Sequence, residues 1–499
     1  MPQAAVDATA DLSVVAAGWS ASDPALAAAL ASSPSPVVAL TRFGLDRYAA
    51  GDLARAAEIF SAVTRAAPGE ALAWNNLALA EAALGRNDQA VVAWQTSLAL
   101  DPAQQAIWTS LAAALLQSGI LDDAEAAAVQ AIALDARDGA PWQVRALARA
   151  GRQDFAGAAA AFARAMDLAG ETATLRANLG TMLFQCGRFH EASDNFARAV
   201  ELEPASDPAA DMRRLADFVI AAIDGNMEAA CRVYAGRPAD MDLVYKTALL
   251  YLDRAGQRNA AVKVAEAWVA ESPDNVEARH LRDSAQAKTI DRMPAELVTK
   301  HFDALADAFD DRLVGKLDYD GPQHIAALLA RRLEPAETMS VLDAGCGSGL
   351  CAEILRPYAR HLEGVDLSHK MIVRARKRGL YDRVGTIDLM SVLGRDRARW
   401  DLIVAADAMP YFGSLEPIFA GAFVALKPGG WLAFSTESLP GDDFVLRGSG
   451  RHAHSAGYIA WLAESRFEIV ERIETMLRRE GGRPIDGDYF LLRRLPDAD

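Results

Sequence analysis

The chain is poor in cysteine, and its few cysteines lie far apart. Among 499 residues there are four, Cys186, Cys231, Cys346 and Cys351, and they form no CxxC pair and no cluster with histidine. This spacing predicts neither a disulfide framework nor a structural zinc site. We therefore expect free thiols in a reducing compartment and no bound metal.

Positive charge is scarce as well. Lysine and arginine number 51 against 67 acidic residues, which gives a formal net charge of -16. This excess of acid argues against a nucleic-acid surface and offers no attraction to anionic membranes. Runs of about 18 uncharged apolar residues are missing, so we expect no membrane span. The opening residues, MPQAAVDATA, lack the basic start of a signal peptide, and a cytoplasmic protein is expected.

A fixed period of 34 residues dominates the first half. The chain is too long for one ordinary core, so we expect two or more domains. Residues that would end a helix pair recur at Pro68, Pro102, Ala136, Gly170 and Pro204. An alanine and the residue four places after it recur at the same period: Ala56/Phe60, Ala90/Trp94, Ala124/Ala128, Ala158/Phe162 and Ala192/Phe196. Alanine lets two helices approach closely and a large neighbour fills the adjoining gap, so we interpret these positions, with Trp74, Trp108 and Trp142, as packing residues.

The stretch WNNLALAEAALGRNDQAVVAWQTSLALDP, residues 74–102, resembles the tetratricopeptide consensus. Five clear units cover 37–204 and two degenerate units cover 210–273, which places an array at 37–283 after an extension at 1–36. The resemblance implies an α-solenoid whose concave face binds a protein or peptide partner.

A continuous ladder of peptide contacts on that concave face is not expected. Asparagine stands at the sixth position of only two units, as Asn76 and Asn178. The array could instead serve homo-oligomerisation or attachment to a larger complex.

After a polar linker at 284–300, short apolar runs alternate with amphipathic helices. Seven runs are strand candidates: MSVLDAG, HLEGVDL, RVGTIDL, WDLIVAADA, GGWLAFST, FEIVERI and YFLLRRL. This alternation predicts an α/β, doubly wound sheet.

A glycine-rich turn leaves the first of these strands, in VLDAGCGSGLCAEIL. Gly345, Gly347 and Gly349 stand where open α/β sheets bind ligands. The spacing is G-x-G-x-G, whereas dinucleotide-binding loops use G-x-G-x-x-G and leave room for a pyrophosphate. S-adenosylmethionine needs no phosphate site, and Asp343 before the turn could help to hold its ammonium group. A dehydrogenase-like domain is the alternative.

Two further acids end the next strands. Asp366 is suited to bond two ribose hydroxyls, and Asp388 to accept from an adenine amino group. With these motifs in this order, residues 301–499 resemble a class I S-adenosylmethionine-dependent methyltransferase, as found in bacterial proteins that carry tetratricopeptide repeats. The resemblance implies a Rossmann-like, seven-stranded sheet, S-adenosylhomocysteine as product, and no metal. The remaining residues expected at the cofactor are Cys346, Leu367, Leu389, Asp407 and Tyr319.

A methyltransferase mainly aligns the methyl donor with the acceptor, and it needs a base only where the acceptor must lose a proton. Candidates are Tyr411 and two histidines, His452 and His454, which we place in a glycine-flanked loop after the fifth strand. The thiols of Cys346 and Cys351 have no activating base beside them in sequence and are interpreted as packing groups.

The segment AMPYF, residues 408–412, lacks the polar residue and first proline of the Asn/Asp-Pro-Pro-Tyr loop. Transfer to an amide or nucleobase nitrogen is therefore disfavoured. The leading hypothesis is methylation of a protein or carrier-bound acceptor recruited by the repeats. The second is a small metabolite such as a quinone precursor or a free acid, and the third is a cofactor-binding scaffold without transfer activity.

Overall fold

The computed structural model describes residues 19, 24–33, 35–236, 239–306, 320–480 and 483–496. Tyr319, expected at the cofactor, lies outside the described residues. The chain divides into two compact units, residues 1–216 and 217–499.

The first unit consists of helices, and the first eleven of those described pack against one another in chain order. Its described helices are α1 (Pro24–Ala31), α2 (Pro36–Ala49), α3 (Leu53–Ala66), α4 (Ala71–Ala83), α5 (Asn87–Leu100), α6 (Gln105–Gln117), α7 (Leu121–Leu134), α8 (Ala140–Gly151), α9 (Phe155–Ala169), α10 (Ala173–Gln185), α11 (Phe189–Leu202) and α12 (Asp207–Ile223), the last of which runs through the division between the units.

The repeating alanines form the contacts between these helices. All five, at 56, 90, 124, 158 and 192, have no exposed surface, and the residues four places later are at most 3% exposed. These positions are therefore packing residues, as the period predicts. The tryptophans are only half-buried: the indole N–H of Trp74 donates to Pro68 O at 2.9 Å, and that of Trp108 to Pro102 O at 2.9 Å. Each ties the start of a helix to the turn before it.

The turn inside each helix pair needs a left-handed residue. Gly51, Gly85, Gly119 and Gly187 supply it with φ between 76° and 82°, but in the fourth unit Gln153 adopts φ 63°. A residue with a Cβ is strained there, so Gln153→Gly is expected to raise the free energy of unfolding by about 0.5–1 kcal/mol.

Urea denaturation measures the change at Gln153. Gln130, exposed within α7, is the matched control. Gln130→Gly should lower stability by about 0.5–1 kcal/mol, because glycine disfavours a helix interior. Equal losses from both changes would contradict the argument from φ.

The second unit holds a nine-stranded sheet with helices around it. Its described helices are α13 (Met227–Arg232), α14 (Met241–Arg254), α15 (Arg258–Glu271), α16 (Val276–Ala285), α17 (Ala295–Leu305), α18 (Gly321–Ala330), α19 (Ala352–Leu355), α20 (His369–Lys377), α21 (Leu389–Arg395), α22 (Glu416–Ala425) and α23 (Ala456–Ala463), with 3₁₀ turns at Arg356–Tyr358 and Met409–Tyr411. Its described strands are β1 (Met339–Ala344), β2 (Ala359–Asp366), β3 (Arg383–Thr386), β4 (Trp400–Ala405), β5 (Leu426–Leu439), β6 (Phe444–Leu446), β7 (His452–Ser455), β8 (Phe467–Glu480) and β9 (Arg483–Arg494).

Strand order is β3-β2-β1-β4-β5, with parallel pairing throughout this part. Beyond β4, strand β5 has two neighbours: its middle pairs with antiparallel β9, and its end, 437–439, pairs with β7. All seven predicted strands are present. The hairpin β6–β7 is additional, and the sequence did not indicate it because FVL is short and HAHS is polar.

Both faces of the sheet are covered, which explains the continuous apolar runs of its central strands. On one face Leu342, Ile403 and Phe434 pack with α22 and α23, and on the other Val341 and Leu402 pack with α18 and α19. The carboxyl ends of β1 to β4 are left open for a ligand.

Helices α14 to α16, which fall within the predicted repeat array, belong to the same compact unit as the sheet. His280 Nε2 lies 2.8 Å from Gly450 O, and Ser284 donates to Arg447 O. The linker continues these contacts, since Gly413 N–H donates to Asp291 O at 2.8 Å. The compact units thus divide after residue 216, whereas the domain boundary predicted at 283/284 stays a prediction.

Candidate functional site

The glycine-rich turn lies between the end of β1 and α19. Gly345, Gly347 and Gly349 have φ of 76°, 53° and 88°, values that residues with a Cβ rarely adopt. Space is also limiting: a Cβ on Gly345 would lie 3.0 Å from Ala408 Cβ, and one on Gly349 would lie 3.0 Å from Tyr381 Cε2. The three glycines therefore give this turn its shape.

Asp366 ends β2 beside that turn. Its Oδ1 accepts from Ser368 N–H at 2.8 Å and its Oδ2 from Gly347 N–H at 3.1 Å. Burial raises the pKa of Asp366, and these backbone bonds oppose the shift. A carboxylate held this way keeps further lone pairs for two hydroxyl donors.

Asp388 follows β3 and caps α21. Its Oδ1 accepts from Met390 N–H at 3.2 Å, and its Oδ2 accepts from Arg292 Nη1 at 2.9 Å. The Arg292 guanidinium also lies over the Phe412 ring, 5.1 Å from its centre. Arg292 comes from the linker before α17, and sequence reasoning missed it because nothing in the linker pattern signals a distant carboxylate.

These groups border one pocket of about 570 Å³, open mouth included. Of the predicted cofactor residues, Gly345, Asp366, Leu367, Asp388, Leu389 and Asp407 line it, together with Tyr411. Phe302, whose place before the first strand suggests a helix over the cofactor, also lines the pocket. The lining residues that sequence reasoning missed are Arg292, Met293, Val298, Val365, Ile387, Ala408 and Phe412.

Asp343 lies behind the turn, with 1% of its surface exposed. Its Oδ2 accepts from Tyr381 Oη at 2.6 Å. Burial raises the pKa of Asp343 to about 7, opposed by that hydrogen bond and reinforced by the charge of Asp366. Its predicted contact with a ligand ammonium stays a prediction, as do the contacts of Cys346, Gly347 and Gly349, which are not among the lining residues.

Asp407 follows β4 at the other side of the pocket, with φ 57°. Its Oδ1 accepts from Arg478 Nη1 at 2.9 Å, and Arg478 also donates to Glu437. Arg478 is 3% exposed and Glu437 is 1% exposed, so this is a buried charge cluster. Burial raises the pKa of Asp407, and Arg478 opposes the shift.

Tyr411 stands at the pocket wall. Its ring meets that of Phe302 edge-on with centres 5.6 Å apart, and its carbonyl accepts from Met293 N–H at 2.8 Å. Burial raises the pKa of Tyr411, although a hydrogen bond from Arg451 opposes the shift. The phenol is thus protonated at neutral pH and suited to donate a hydrogen bond.

The placement of His452 and His454 in a loop is wrong. Both lie on β7, both have no exposed surface, and neither is among the residues that line the pocket. His452 Nε2 is 3.1 Å from Ile290 O, and His454 Nε2 is 2.9 Å from Gly413 O. These contacts hold the linker and the segment after Tyr411 against the sheet. The two histidines therefore position other segments, and direct catalysis by either of them stays a prediction.

The two histidines make stability depend on pH. Burial lowers the pKa of both to about 4, although contacts with carbonyl oxygens oppose the shift. Between the unfolded value of about 6.5 and about 4, the unfolded chain binds protons that the folded chain does not. Stability is therefore expected to fall by roughly 1–3 kcal/mol for each histidine as pH drops through this window.

Urea midpoints at pH 7.5 and pH 5.0 measure this loss. His454→Gln should reduce the difference, whereas His369→Gln, at an exposed position on α20, should keep the wild-type difference. An unchanged difference in His454→Gln would refute the assignment, whereas the wild-type difference alone also contains the opposite contribution of Asp343, whose pKa is raised.

Among the described residues, no helix is long and apolar enough to cross a membrane. Within the same residues, no group of three or more histidine, cysteine, aspartate or glutamate side chains is arranged to hold a metal ion.

Comparison with protein families matches three parts of the chain. Residues 317–472 match the model of a methyltransferase domain. Residues 41–102 and 83–141 match one tetratricopeptide-repeat model, and residues 173–206 match another.

Two relatives illustrate the similarity. A ubiquinone biosynthesis O-methyltransferase of Hydrogenovibrio crunogenus is 27% identical over 223 residues, covering 41% of this chain and 88% of that protein. A malonyl-[acyl-carrier protein] O-methyltransferase of Enterobacter lignolyticus is 32% identical over 118 residues, covering 23% of this chain and 47% of that protein. Several other ubiquinone biosynthesis O-methyltransferases are matched over only about half of their length.

Solved structures resemble each half separately. The N-methyltransferase NodS from Bradyrhizobium japonicum, in complex with S-adenosylhomocysteine, is 20% identical, with a TM-score of 0.31, over 40% of this chain and 98% of that one. MamA from Desulfovibrio magneticus is 20% identical, with a TM-score of 0.33, over 34% of this chain and 97% of that one.

Proposed function

We propose that the methyltransferase domain of this chain transfers a methyl group to an oxygen of an organic acceptor. The domain is S-adenosylmethionine-dependent and follows the tetratricopeptide repeats. The observation that carries the proposal is a single pocket in which Gly345, Asp366 and Asp388 converge from three adjacent strands. The sulfonium of the bound donor supplies an activated methyl group.

The lining suits this donor. Asp366, held by two backbone N–H groups, is placed to accept from both ribose hydroxyls. Ile387 and Leu389 offer apolar walls to a flat base, and Asp388, shared with Arg292, lies beside them. The left-handed turn at Gly345 lets backbone approach the ligand where a side chain would collide with Ala408.

Oxygen is the favoured acceptor atom. The segment 408–412 lacks the Asn/Asp-Pro-Pro-Tyr pattern of transfer to amide and nucleobase nitrogen. Both relatives described above carry the name O-methyltransferase. Tyr411, which borders the pocket, is suited to orient such an acceptor by donating a hydrogen bond.

Two kinds of acceptor fit this chemistry. A protein or carrier-held group would be recruited by the repeats. The name of one relative, a malonyl-[acyl-carrier protein] O-methyltransferase, suggests this kind of acceptor. A small molecule would enter by itself, with the repeats serving assembly. The geometry favours a small acceptor, because the pocket adjoins a second concave chamber at Met293 and Tyr411.

Label transfer in host extract depleted of the native enzyme tests the proposal. Purified protein and radiolabelled methyl donor are added, with Asp366→Ala as the blank. Soluble label indicates a small acceptor, and a discrete acid-precipitable band indicates a protein or carrier. Donor binding without any label above the blank, across extracts from several growth conditions, would favour a scaffold and contradict the proposed activity.

A further inference from the structure

A second chamber adjoins the cofactor pocket, and helices before the sheet form much of its wall. It encloses about 1400 Å³, open mouth included. Its lining comes from α14, α16, α17 and the turn between β6 and β7. Met293 and Tyr411 line both spaces, so the chamber and the cofactor pocket meet at these two side chains.

Much of the chamber wall is apolar. Leu243 and Leu250 on α14 are 60% and 44% exposed, and both line the chamber. Leu281 on α16 and Leu297 on α17 line it from other directions. Exposed leucines are ordinary when single, but several on one concave wall mark a site for an apolar ligand.

The polar part of the lining is mainly basic. Among the described residues that line the chamber, Lys246, Lys300 and Arg451 contribute positive charge, and a single acid, Glu277, pairs with Lys246. Lys300 is exposed on α17. The chamber thus combines an apolar wall with cationic groups, a combination that favours an amphipathic anion.

Arg451 belongs to the buried charge cluster beneath Tyr411. Three guanidinium groups, those of Arg447, Arg451 and Arg478, contact the two carboxylates of Glu437 and Asp407. Arg451 is the member of this group that lines the chamber, so the cluster presents a guanidinium group there. An anionic group at this end of the chamber would be attracted to it.

We propose that this chamber binds the methyl acceptor, and that the acceptor is a small carboxylic acid with an apolar body whose carboxylate lies at Arg451 and Tyr411. The inference rests on the proposed function and names its substrate class. A carboxylate oxygen forms the new C–O bond while the carbon–sulfur bond breaks and its electron pair stays on sulfur. The charges of carboxylate and sulfonium cancel, so no proton has to leave and no base is required.

Calorimetry with simple probes tests the chamber in the full chain saturated with S-adenosylhomocysteine. Octanoate is expected to bind, and octan-1-ol and octylammonium should bind at least about tenfold more weakly, because a hydrogen bond to a charged group contributes roughly 1.5–3 kcal/mol. Octan-1-ol binding as tightly as octanoate would overturn the assignment of a carboxylate.

Two variants locate the octanoate. Leu250→Trp fills the chamber from an exposed position, so it should weaken octanoate binding at least tenfold and leave the affinity for S-adenosylhomocysteine unchanged. Val424→Trp, at a 38% exposed position on α22, is the matched control and should change neither. Unchanged octanoate binding by Leu250→Trp would place the probe elsewhere and overturn the proposal.

The contribution of positive charge to octanoate binding is tested with a second pair of variants. Lys300→Gln should weaken octanoate and leave octan-1-ol unaffected, whereas Lys377→Gln, exposed at the end of α20, should change neither. Failure of the wild-type chain to bind S-adenosylhomocysteine would count against the proposed function itself. Binding of that ligand without binding of octanoate would overturn only the present inference.

Discussion

Replacement of Asp366 by alanine is expected to weaken binding of S-adenosylhomocysteine by at least about 100-fold. Each hydrogen bond from a ribose hydroxyl to this carboxylate contributes roughly 1.5–3 kcal/mol, so losing two costs about 3–6 kcal/mol. The change also removes the acceptor for Gly347 N–H and Ser368 N–H, which loosens the turn that shapes the pocket. Titration calorimetry on the full chain gives the Kd directly.

The control for Asp366 is a carboxylate of the same domain outside the pocket. Glu353 on α19 has a side chain that is 72% exposed and lies 3.7 Å from Arg378. Glu353→Ala should leave the Kd unchanged. Asp366→Asn keeps a hydrogen-bond acceptor and should fall between the two. A Kd for Asp366→Ala within threefold of wild type would mean that this carboxylate does not hold the ligand.

Replacement of Arg478 by methionine is expected to lower the free energy of unfolding more than the other substitutions described above. Arg478 donates to both Asp407 and Glu437 in the buried charge cluster. Removing one partner leaves uncompensated buried charge, which costs about 3–5 kcal/mol, whereas removal of a whole buried pair is often nearly neutral. For a unit of this size, the thermal midpoint should fall by roughly 6–20 °C.

A double-mutant cycle separates charge from packing at Arg478. Adding Asp407→Asn to Arg478→Met should recover a large part of the loss, because Glu437 keeps its contacts with Arg447 and Arg451 and Asp407 then no longer carries a buried charge. Arg332 is the surface control, because its side chain is 49% exposed and lies 3.7 Å from Glu471. Arg332→Met should change the thermal midpoint little. Additive losses in the cycle would show that Arg478 and Asp407 do not interact energetically.

The sequence by itself determined the fold of both halves. The period of 34 residues keeps small and large side chains in register, and each pair of positions has a local packing meaning, so helix-to-helix contacts could be predicted from spacing alone. The central strands of the sheet could also be predicted, because strands buried on both faces must be continuously apolar. The glycine turn and the acids after β2 and β3 were predicted from their places at strand ends, and the structure brings Gly345, Asp366 and Asp388 to one pocket.

Only the tertiary structure determined which residues surround the place where the methyl acceptor is proposed to bind. His452 and His454 read as loop residues because HAHS is short and polar, and only pairing with β5 and β6 makes it a buried strand. Arg292 reaches Asp388 across 96 positions of sequence, and Arg478 reaches Asp407 across 71. Such contacts depend on how distant segments dock, and no local pattern records them; the chamber against α14 and α16 arises for the same reason.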